Sequence, residues 1–213
     1  MKKFLFKFVI GTLAATVVSA SAVSAAGRYK PGLHLGGTRA KFERGSQRYD
    51  YLSNLFFGLR ASREVTRYFD YQFELDFVRK GAVTDVFSLV DKSELTTVEG
   101  KLSLDYLELP MMVKFSPRLT ARVNPALLAG LYVAWNVSHS VSYEDHVAEP
   151  IEEFDIATSD YGVAVGVAID FAIKKRTLSF EFRFTRGLKE IYDRPSGDSL
   201  VNRVLTFMVA FTP

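Results

Sequence analysis

The sequence predicts an all-β protein, an eight-stranded antiparallel up-and-down transmembrane β-barrel with short periplasmic turns and long outer loops. Apolar and polar residues alternate with a period of two in eight segments, and the connections between them alternate between short and long. After the N-terminal segment, no stretch has a useful helical period or about 20 consecutive apolar residues. A chain of 213 residues suits one barrel domain.

Residues 1–26 are predicted to be a secretory signal peptide that precedes a barrel domain at 27–213. Lys2, Lys3 and Lys7 precede an apolar run, and the small residues of "SASAVSAAG" offer cleavage sites. A membrane anchor is the alternative, but the run is short for a span. The signal holds three of the 27 basic residues and none of the 24 acids, so the mature chain is near neutral and predicts no nucleic-acid partner. The absence of cysteine excludes disulfides and thiolate metal sites.

The first strand, "GLHLGGTRAKF", is the least regular, because Leu33 and Leu35 share parity with Arg39 and Lys41. A bulge at Gly36 and Gly37 would exchange the two faces. Arg39 and Lys41 would then point into the barrel, while Thr38, Ala40 and Phe42 would join the apolar face.

The other seven strands alternate cleanly. In "FDYQFELDF", for example, aromatic and aliphatic residues take one face and Asp70, Gln72, Glu74 and Asp76 take the other. The same period marks residues 54–62, 69–77, 106–115, 127–138, 162–171, 178–185 and 205–211.

The connections favour a membrane barrel over a soluble one. Those near 64–67, 116–119 and 172–176 are short, whereas those near 43–53, 81–101, 139–159 and 187–201 are long and polar. The second long loop is apolar enough to extend the third and fourth strands beyond the membrane. A soluble eight-stranded barrel also fits the strand count, but it lines its cavity with apolar residues.

The composition of the two strand faces predicts which one is inside. One face is Leu, Val, Ile and Phe, and the other combines charges with glycine and alanine. A strand face in water does not need so many glycine and alanine residues, because glycine inside a strand costs stability. Long charged side chains in a narrow lumen, in contrast, need small residues on the opposite wall. The predicted lumen charges are Arg60, Asp70, Glu74, Asp76, Glu108, Lys114, Asp170, Glu181 and Arg183. The predicted lipid-facing residues are Phe57, Phe69, Tyr71, Phe73, Leu75, Phe77, Leu107, Leu109, Val113, Val165, Val167, Phe180, Phe182, Phe207 and Phe211.

Residues 105–115, "DYLELPMMVKF", resemble the signature of the PorT-like outer-membrane β-barrel families of Bacteroidetes. "FELDFVRKG", "PALLAGLYV", "GVAVGVAIDF" and "FEFRFTRGL" are similar to the matching segments of those families. The resemblance implies an eight-stranded barrel in the outer membrane of a Gram-negative bacterium, related in architecture to OmpA- and OmpX-like proteins. Some members serve a secretion system. The chain departs from the usual barrel ending, because Phe211 is followed by two residues.

The inward charges are interpreted first as a salt-bridge plug between the lumen walls. A narrow proton or ion path, and a pair of carboxylates acting as acid and base, are the alternatives. A filled lumen leaves no room for a substrate, which disfavours the second alternative.

The predicted function is structural, adhesive or accessory, without enzymatic activity, cofactor or metal. The expected partners are outer-membrane lipid, the barrel-assembly machinery and a possible protein bound through loops 81–101 and 139–159. The second of these loops is rich in acids, which favours solvation but also suits a cation or a basic partner. The alternatives are a component of a secretion assembly and a lipid-modifying enzyme, for which "SHS" at 138–140 is the nearest His–Ser pair.

Overall fold

The computed structural model describes the backbone of residues 29–43, 50–90, 94–117, 119–143, 157–191 and 200–213, and their side chains outside 84–100 and 141–143. The predicted signal peptide and most of the third long loop therefore lie outside the described residues. The described residues include no helix with the length and apolar character needed to cross a membrane.

Eight antiparallel strands form a closed barrel in which sequence neighbours pair and β1 also pairs with β8. The predicted fold class is confirmed. The strands are β1 (Lys30–Glu43), β2 (Asp50–Glu64), β3 (Phe69–Val90), β4 (Glu94–Phe115), β5 (Val123–Tyr143), β6 (Ser159–Ile173), β7 (Arg176–Gly187) and β8 (Val201–Thr212).

Short turns join β2 to β3, β4 to β5 and β6 to β7, and we call this side of the barrel the turn end. In the first turn, the backbone N–H groups of Val65 and Thr66 both donate to the carbonyl of Phe69. Only Lys174 and Lys175 separate β6 from β7. The other connections lie on the opposite side, the loop end. Those from β5 to β6 and from β7 to β8 are long, as predicted, but only three residues separate β3 from β4, because most of the predicted loop 81–101 continues these two strands.

Among the described residues, the central strands extend well past their neighbours at the loop end. β3 and β4 have 22 residues each and pair up to Val90 and Glu94. In the described backbone, the pairing of β2 with β3 extends to Val83, and that of β6 with β5 extends to Trp135. We call the projecting backbone of residues 84–90, 94–100 and 137–143 the outer extension. The apolar character of the second long loop predicts this lengthening.

The bulge considered for the first strand is absent from β1. Gly36 and Gly37 pair in continuous register with β2 on one side and β8 on the other. Thr38, Ala40 and Phe42 are therefore buried inside, and Arg39 and Lys41 lie on the outer wall. Gly36 serves close packing instead, since a Cβ there would lie 2.1 Å from the Phe207 carbonyl oxygen and 2.7 Å from the Phe56 ring.

The register irregularities occur elsewhere, between Tyr51 and Phe57 of β2 and between Asp105 and Tyr106 of β4. Gly81, near the first of them, has a φ of 142°. This backbone angle favours glycine.

Candidate functional site in the charged barrel interior

Four charged side chains from three strands meet in the middle of the interior. Arg60 of β2 and Glu74 of β3 face Glu181 and Arg183 of β7. Arg60 Nη2 lies 2.7 Å from Glu74 Oε1 and 2.8 Å from Glu181 Oε2. Arg183 Nη1 lies 2.7 Å from Glu74 Oε2, and the same guanidinium donates to Glu181. This central cluster joins opposite walls of the barrel and has no net charge.

The carboxylate of Glu74 is fully engaged. Its Oε1 accepts hydrogen bonds from Arg60 Nε at 2.9 Å and Gln72 Nε2 at 2.8 Å, and its Oε2 accepts from Arg183. All four charged residues are at most 5% exposed. Buried charges need this degree of pairing, because removal from water is otherwise very costly.

A histidine–aspartate pair adjoins the central cluster. His34 Nε2 of β1 lies 2.7 Å from Asp76 Oδ1 of β3. Ligand atoms of His34, Glu74 and Asp76 all lie within 4.8 Å of one another. A cation there would have to displace the guanidinium groups that hold Glu74, so the geometry favours ion pairing over metal binding.

A second cluster lies toward the loop end, around the ammonium group of Lys80. Lys80 Nζ is 2.6 Å from Glu108 Oε2 and 3.3 Å from Asp160 Oδ2. It also lies 4.2 Å from the ring centroid of Tyr132 and 5.0 Å from that of Tyr106. The Tyr132 hydroxyl and the Asn202 amide donate to Asp160 Oδ2 at 3.1 and 2.8 Å. Carboxylates and aromatic faces thus stabilise one buried cation together.

A third group lies toward the turn end and is less buried. Lys114 Nζ is 2.7 Å from Asp170 Oδ2, and Ser179 Oγ donates to Asp170 Oδ1 at 2.7 Å. Asp70 is half-buried and lines the same region. A polar cavity of about 380 Å³ is lined by these residues together with Arg60 and Gln72.

The loop end of the interior is apolar. Phe42, Phe56, Leu102, Leu104 and Ile191 belong to one buried cluster with the two tyrosines of the Lys80 site. Ile191 comes from the connection between β7 and β8, and its backbone bonds with Ala157 and Leu200 hold it in place. A small cavity of about 20 Å³ lies between the central cluster and the Lys80 cluster, with room for one water molecule.

All nine predicted lumen charges lie on the inner wall, seven of them buried and Asp70 and Asp170 half-buried. Sequence reasoning missed His34, Lys80 and Asp160. Lys80 and Asp160 lie just outside the alternating segments 69–77 and 162–171, although both share the parity of inward neighbours such as Asp76 and Gly162.

The fifteen predicted lipid-facing residues lie on the outer wall, each exposed or partly exposed. Leu35, Val165 and Phe207 are 67, 51 and 55% exposed. At the loop end this apolar band gives way to polar and charged outward residues, namely Arg39, Ser53, Arg79, Asp105, Ser159, Arg186 and Arg203.

The candidate His–Ser pair is not assembled. Ser138, His139 and Ser140 are all exposed on β5. Successive side chains of a strand point to opposite faces, so His139 faces away from both serines.

Comparisons with known proteins give the family. A family model for the outer membrane protein beta-barrel domain matches residues 23–193. The structure of Neisserial surface protein A (NspA) is similar, with 12% identity, coverage of 84% of this chain and 95% of that chain, and a TM-score of 0.47. Ail, the attachment invasion locus protein of Yersinia pestis, has 12% identity, coverage of 87% and 97%, and a TM-score of 0.43.

The E. coli outer membrane protein W also resembles the chain, with 12% identity, coverage of 87% and 98%, and a TM-score of 0.42. No curated protein sequence matches the chain. The family match covers most of the sequence and agrees with the closed barrel of eight strands. The chain therefore belongs to the outer membrane protein β-barrel domain family.

Proposed function

We propose that this protein is a closed outer-membrane barrel whose role is structural, adhesive or accessory and is carried by its loop end. The observation that supports this function best is the central cluster, which fills the interior from β2 and β3 to β7 with paired charges. Within the described residues, a lumen blocked in this way leaves no continuous path for solutes, so we infer that the protein is not an open channel, and we propose a role without enzymatic activity.

The interior is blocked at more than one level. The Lys80 cluster lies toward the loop end from the central cluster, and the apolar cluster around Ile191 and Leu104 closes that end. The cavity of about 380 Å³ is confined to the turn end. This arrangement disfavours an open ion path, because the apolar cluster around Ile191 and Leu104 covers the charged clusters at the loop end.

The orientation follows from the outer wall. We infer that the apolar band contacts lipid, since closure of the sheet pairs its backbone groups within the chain and leaves side chains such as Phe73 and Val165 to meet hydrocarbon. Barrels of this class place short turns in the periplasm and long loops outside. Export by the signal sequence at 1–26 and insertion by the barrel-assembly machinery complete this proposal.

The outer extension supports a role in binding. Within the described backbone, residues 84–90 of β3 and 137–143 of β5 form ladder pairs with β4 alone, so each has an edge without a described ladder partner. Such an edge can accept an added strand from another protein. Loops 81–101 and 139–159 are therefore the proposed partner surface.

A component of a PorT-like secretion assembly is the second candidate. Its support is the resemblance at residues 105–115 together with the same projecting edges. Both candidates use the outer extension, and a stoichiometric partner recovered after crosslinking favours the assembly. The exposed and divergent Ser138 and His139 give the lipid-modifying alternative no support.

Two measurements on the purified protein test the closed barrel. We expect the folded protein to migrate faster than the boiled protein on a gel, as closed barrels do, and to give no stable single-channel conductance in planar bilayers. Regular ohmic steps would contradict the blocked interior. A protein that is soluble without detergent would contradict the membrane orientation.

A crosslinking experiment tests the partner surface. A photoreactive residue is placed at Ser140, exposed on the edge of β5, and the control position is Leu131 of the same strand, 56% exposed on the outer wall within the apolar band. We expect protein adducts in outer membranes from position 140 and none from position 131. Equal yields from both positions would contradict docking at the extension.

A further inference from the structure

Four cations lie side by side on the outer wall at the loop end, on three consecutive strands of the closed barrel. Arg186 of β7 pairs in register with Arg203 of β8, and Arg203 pairs in register with Lys41 of β1. Arg39 lies on the same face of β1, two residues below Lys41. We call Arg39, Lys41, Arg186 and Arg203 the cationic patch.

Within the described residues, this concentration of charge is only partly compensated. Glu43 is the described carboxylate that pairs with the patch, and its oxygens lie 3.4 Å from Arg186 Nε and 3.5 Å from Arg203 Nη1. Among the described residues, four cations beside one carboxylate leave an excess of positive charge. Like charges directly opposite on neighbouring strands destabilise a sheet unless another group neutralises them.

Aromatic rings hold the patch in place. Arg39 and Lys41 both lie over the Tyr51 ring, at 4.8 and 4.9 Å from its centroid, and Arg203 lies 5.3 Å from the centroid of Phe184. These contacts orient Arg39, Lys41 and Arg203 before any ligand binds, and the ion pair with Glu43 orients Arg186. The side chains of Arg186 and Arg203 remain 51 and 37% exposed.

The position of the patch indicates its ligand. Leu35, Phe207 and Phe184 of the same three strands belong to the apolar band, and the patch begins where that band ends. In a membrane this is the level of the headgroups, where charged side chains reach anionic lipid. Arginine is well suited to phosphate, because its planar guanidinium can donate two parallel hydrogen bonds.

We propose that the cationic patch binds the phosphate groups of a phosphorylated lipid in the outer leaflet. The proposal goes beyond the closed-barrel function but rests on its membrane orientation, in which the loop end faces outward. One or two phosphates between Arg186, Arg203 and Lys41 would neutralise the in-register cations. The same contacts would fix the rotation of this side of the barrel against the lipid layer.

The test uses the full mature protein folded in detergent, with faster gel migration of the unboiled sample as proof of folding. The probes are a bis-phosphorylated glucosamine lipid, the same lipid without phosphates, and inorganic phosphate. Binding is measured by native mass spectrometry, and the temperature at which the folded gel band disappears is recorded for each probe.

The test variant is Lys41→Gln/Arg203→Gln. The control, Arg122→Gln/Lys175→Gln, also removes one lysine and one arginine, both exposed at the turn end. We expect the phosphorylated lipid to bind the wild type and the control alike, and to bind the patch variant about tenfold more weakly. If the double variant does not fold, the single variant Lys41→Gln replaces it, and we expect an intermediate loss of affinity for the phosphorylated lipid.

Several results would overturn the proposal. Equal binding of the phosphorylated lipid to the patch variant and the wild type would show that the patch is not the binding site. If the wild type binds the lipid without phosphates as well as the phosphorylated lipid, phosphate is not the recognised group. Equal stabilisation by inorganic phosphate at the same concentration would make the patch a free-anion site. A protein that does not fold in detergent would instead contradict the closed-barrel function.

Discussion

Arg183 contacts both carboxylates of the central cluster and is 3% exposed. Replacement by methionine leaves Glu74 and Glu181 to share Arg60 as their remaining guanidinium partner. We expect Arg183→Met to lower the free energy of unfolding by about 3–5 kcal/mol, because it strands a buried negative charge. Urea titration of the protein folded in lipid vesicles measures this loss.

The matched control is Arg176→Met, which removes an exposed arginine from the same strand. Its expected cost is below about 1 kcal/mol. Similar losses for the two variants would show that the central cluster does not stabilise the barrel.

Gly58 makes room for the histidine–aspartate pair. A Cβ at this position would lie 2.1 Å from Asp76 Oδ1 and 2.5 Å from His34 Nε2. We expect Gly58→Ala to destabilise the fold by about 1–3 kcal/mol, because the buried pair must move apart in a filled lumen. Urea unfolding measures the change.

Gly37→Ala is the control for Gly58→Ala, because its nearest contact would be the Asn54 carbonyl oxygen at 3.9 Å. We expect a change within about 1 kcal/mol. Our explanation of Gly58 fails if its alanine variant is no less stable than the Gly37 variant.

At the scale of the strand, depth in the membrane sets the cost of a charge. Val165 of β6 is 51% exposed inside the apolar band, whereas Ser159 of the same strand lies at its loop-end border. We expect Val165→Lys to cost about 2–4 kcal/mol of unfolding free energy and Ser159→Lys about 0–1 kcal/mol. Vesicle-based urea titrations compare the two, and equal costs would place the membrane elsewhere.

The strands also show how far sequence alone predicts the fold and the candidate site. A period of two assigns every side chain between turns to one of two faces, so the inward positions of Arg60, Glu74 and Arg183 follow from parity alone. Parity does not decide the inward face where a glycine could mark either a β-bulge or a site of close packing. Gly36 and Gly37 suggested a bulge, whereas the structure uses Gly36 to admit the Phe56 ring.

Strand length is harder to predict than strand face. Lys80 and Asp160 were missed because polar residues near a strand end look the same whether the strand continues or stops. Contacts across the barrel, such as Lys80 with Asp160, depend on closure and register, which the local pattern does not contain.

At the scale of the whole molecule, the central cluster couples strands on opposite sides of the lumen. Arg60 of β2 and Glu181 of β7 form such a pair at 2.8 Å. In a double-mutant cycle with Arg60→Gln and Glu181→Gln, we expect a coupling free energy of about 1–3 kcal/mol, because the double variant leaves the neutral Glu74–Arg183 pair intact. Urea unfolding of all four proteins provides the cycle.

The exposed pair of Arg79 and Asp105 gives a control cycle. Arg79 Nη2 donates to Asp105 Oδ2 at 2.8 Å, but the Arg79 side chain is 45% exposed. Its coupling should stay below about 1 kcal/mol. A cross-lumen coupling no larger than this would contradict the central cluster as a link between walls.

Wall-to-wall pairing also constrains the order of assembly. Arg60 and Glu181 are separated by 121 positions in the chain, and Glu74 and Arg183 by 109. Neither pair can form before β7 arrives, and the seam between β1 and β8 joins the two ends of the sheet. An incomplete sheet would therefore hold unpaired charges on the surface that later becomes the lumen. We expect these residues to stay hydrated until the seam closes, so that loss of water from the lumen and joining of the chain ends occur as one late, cooperative step.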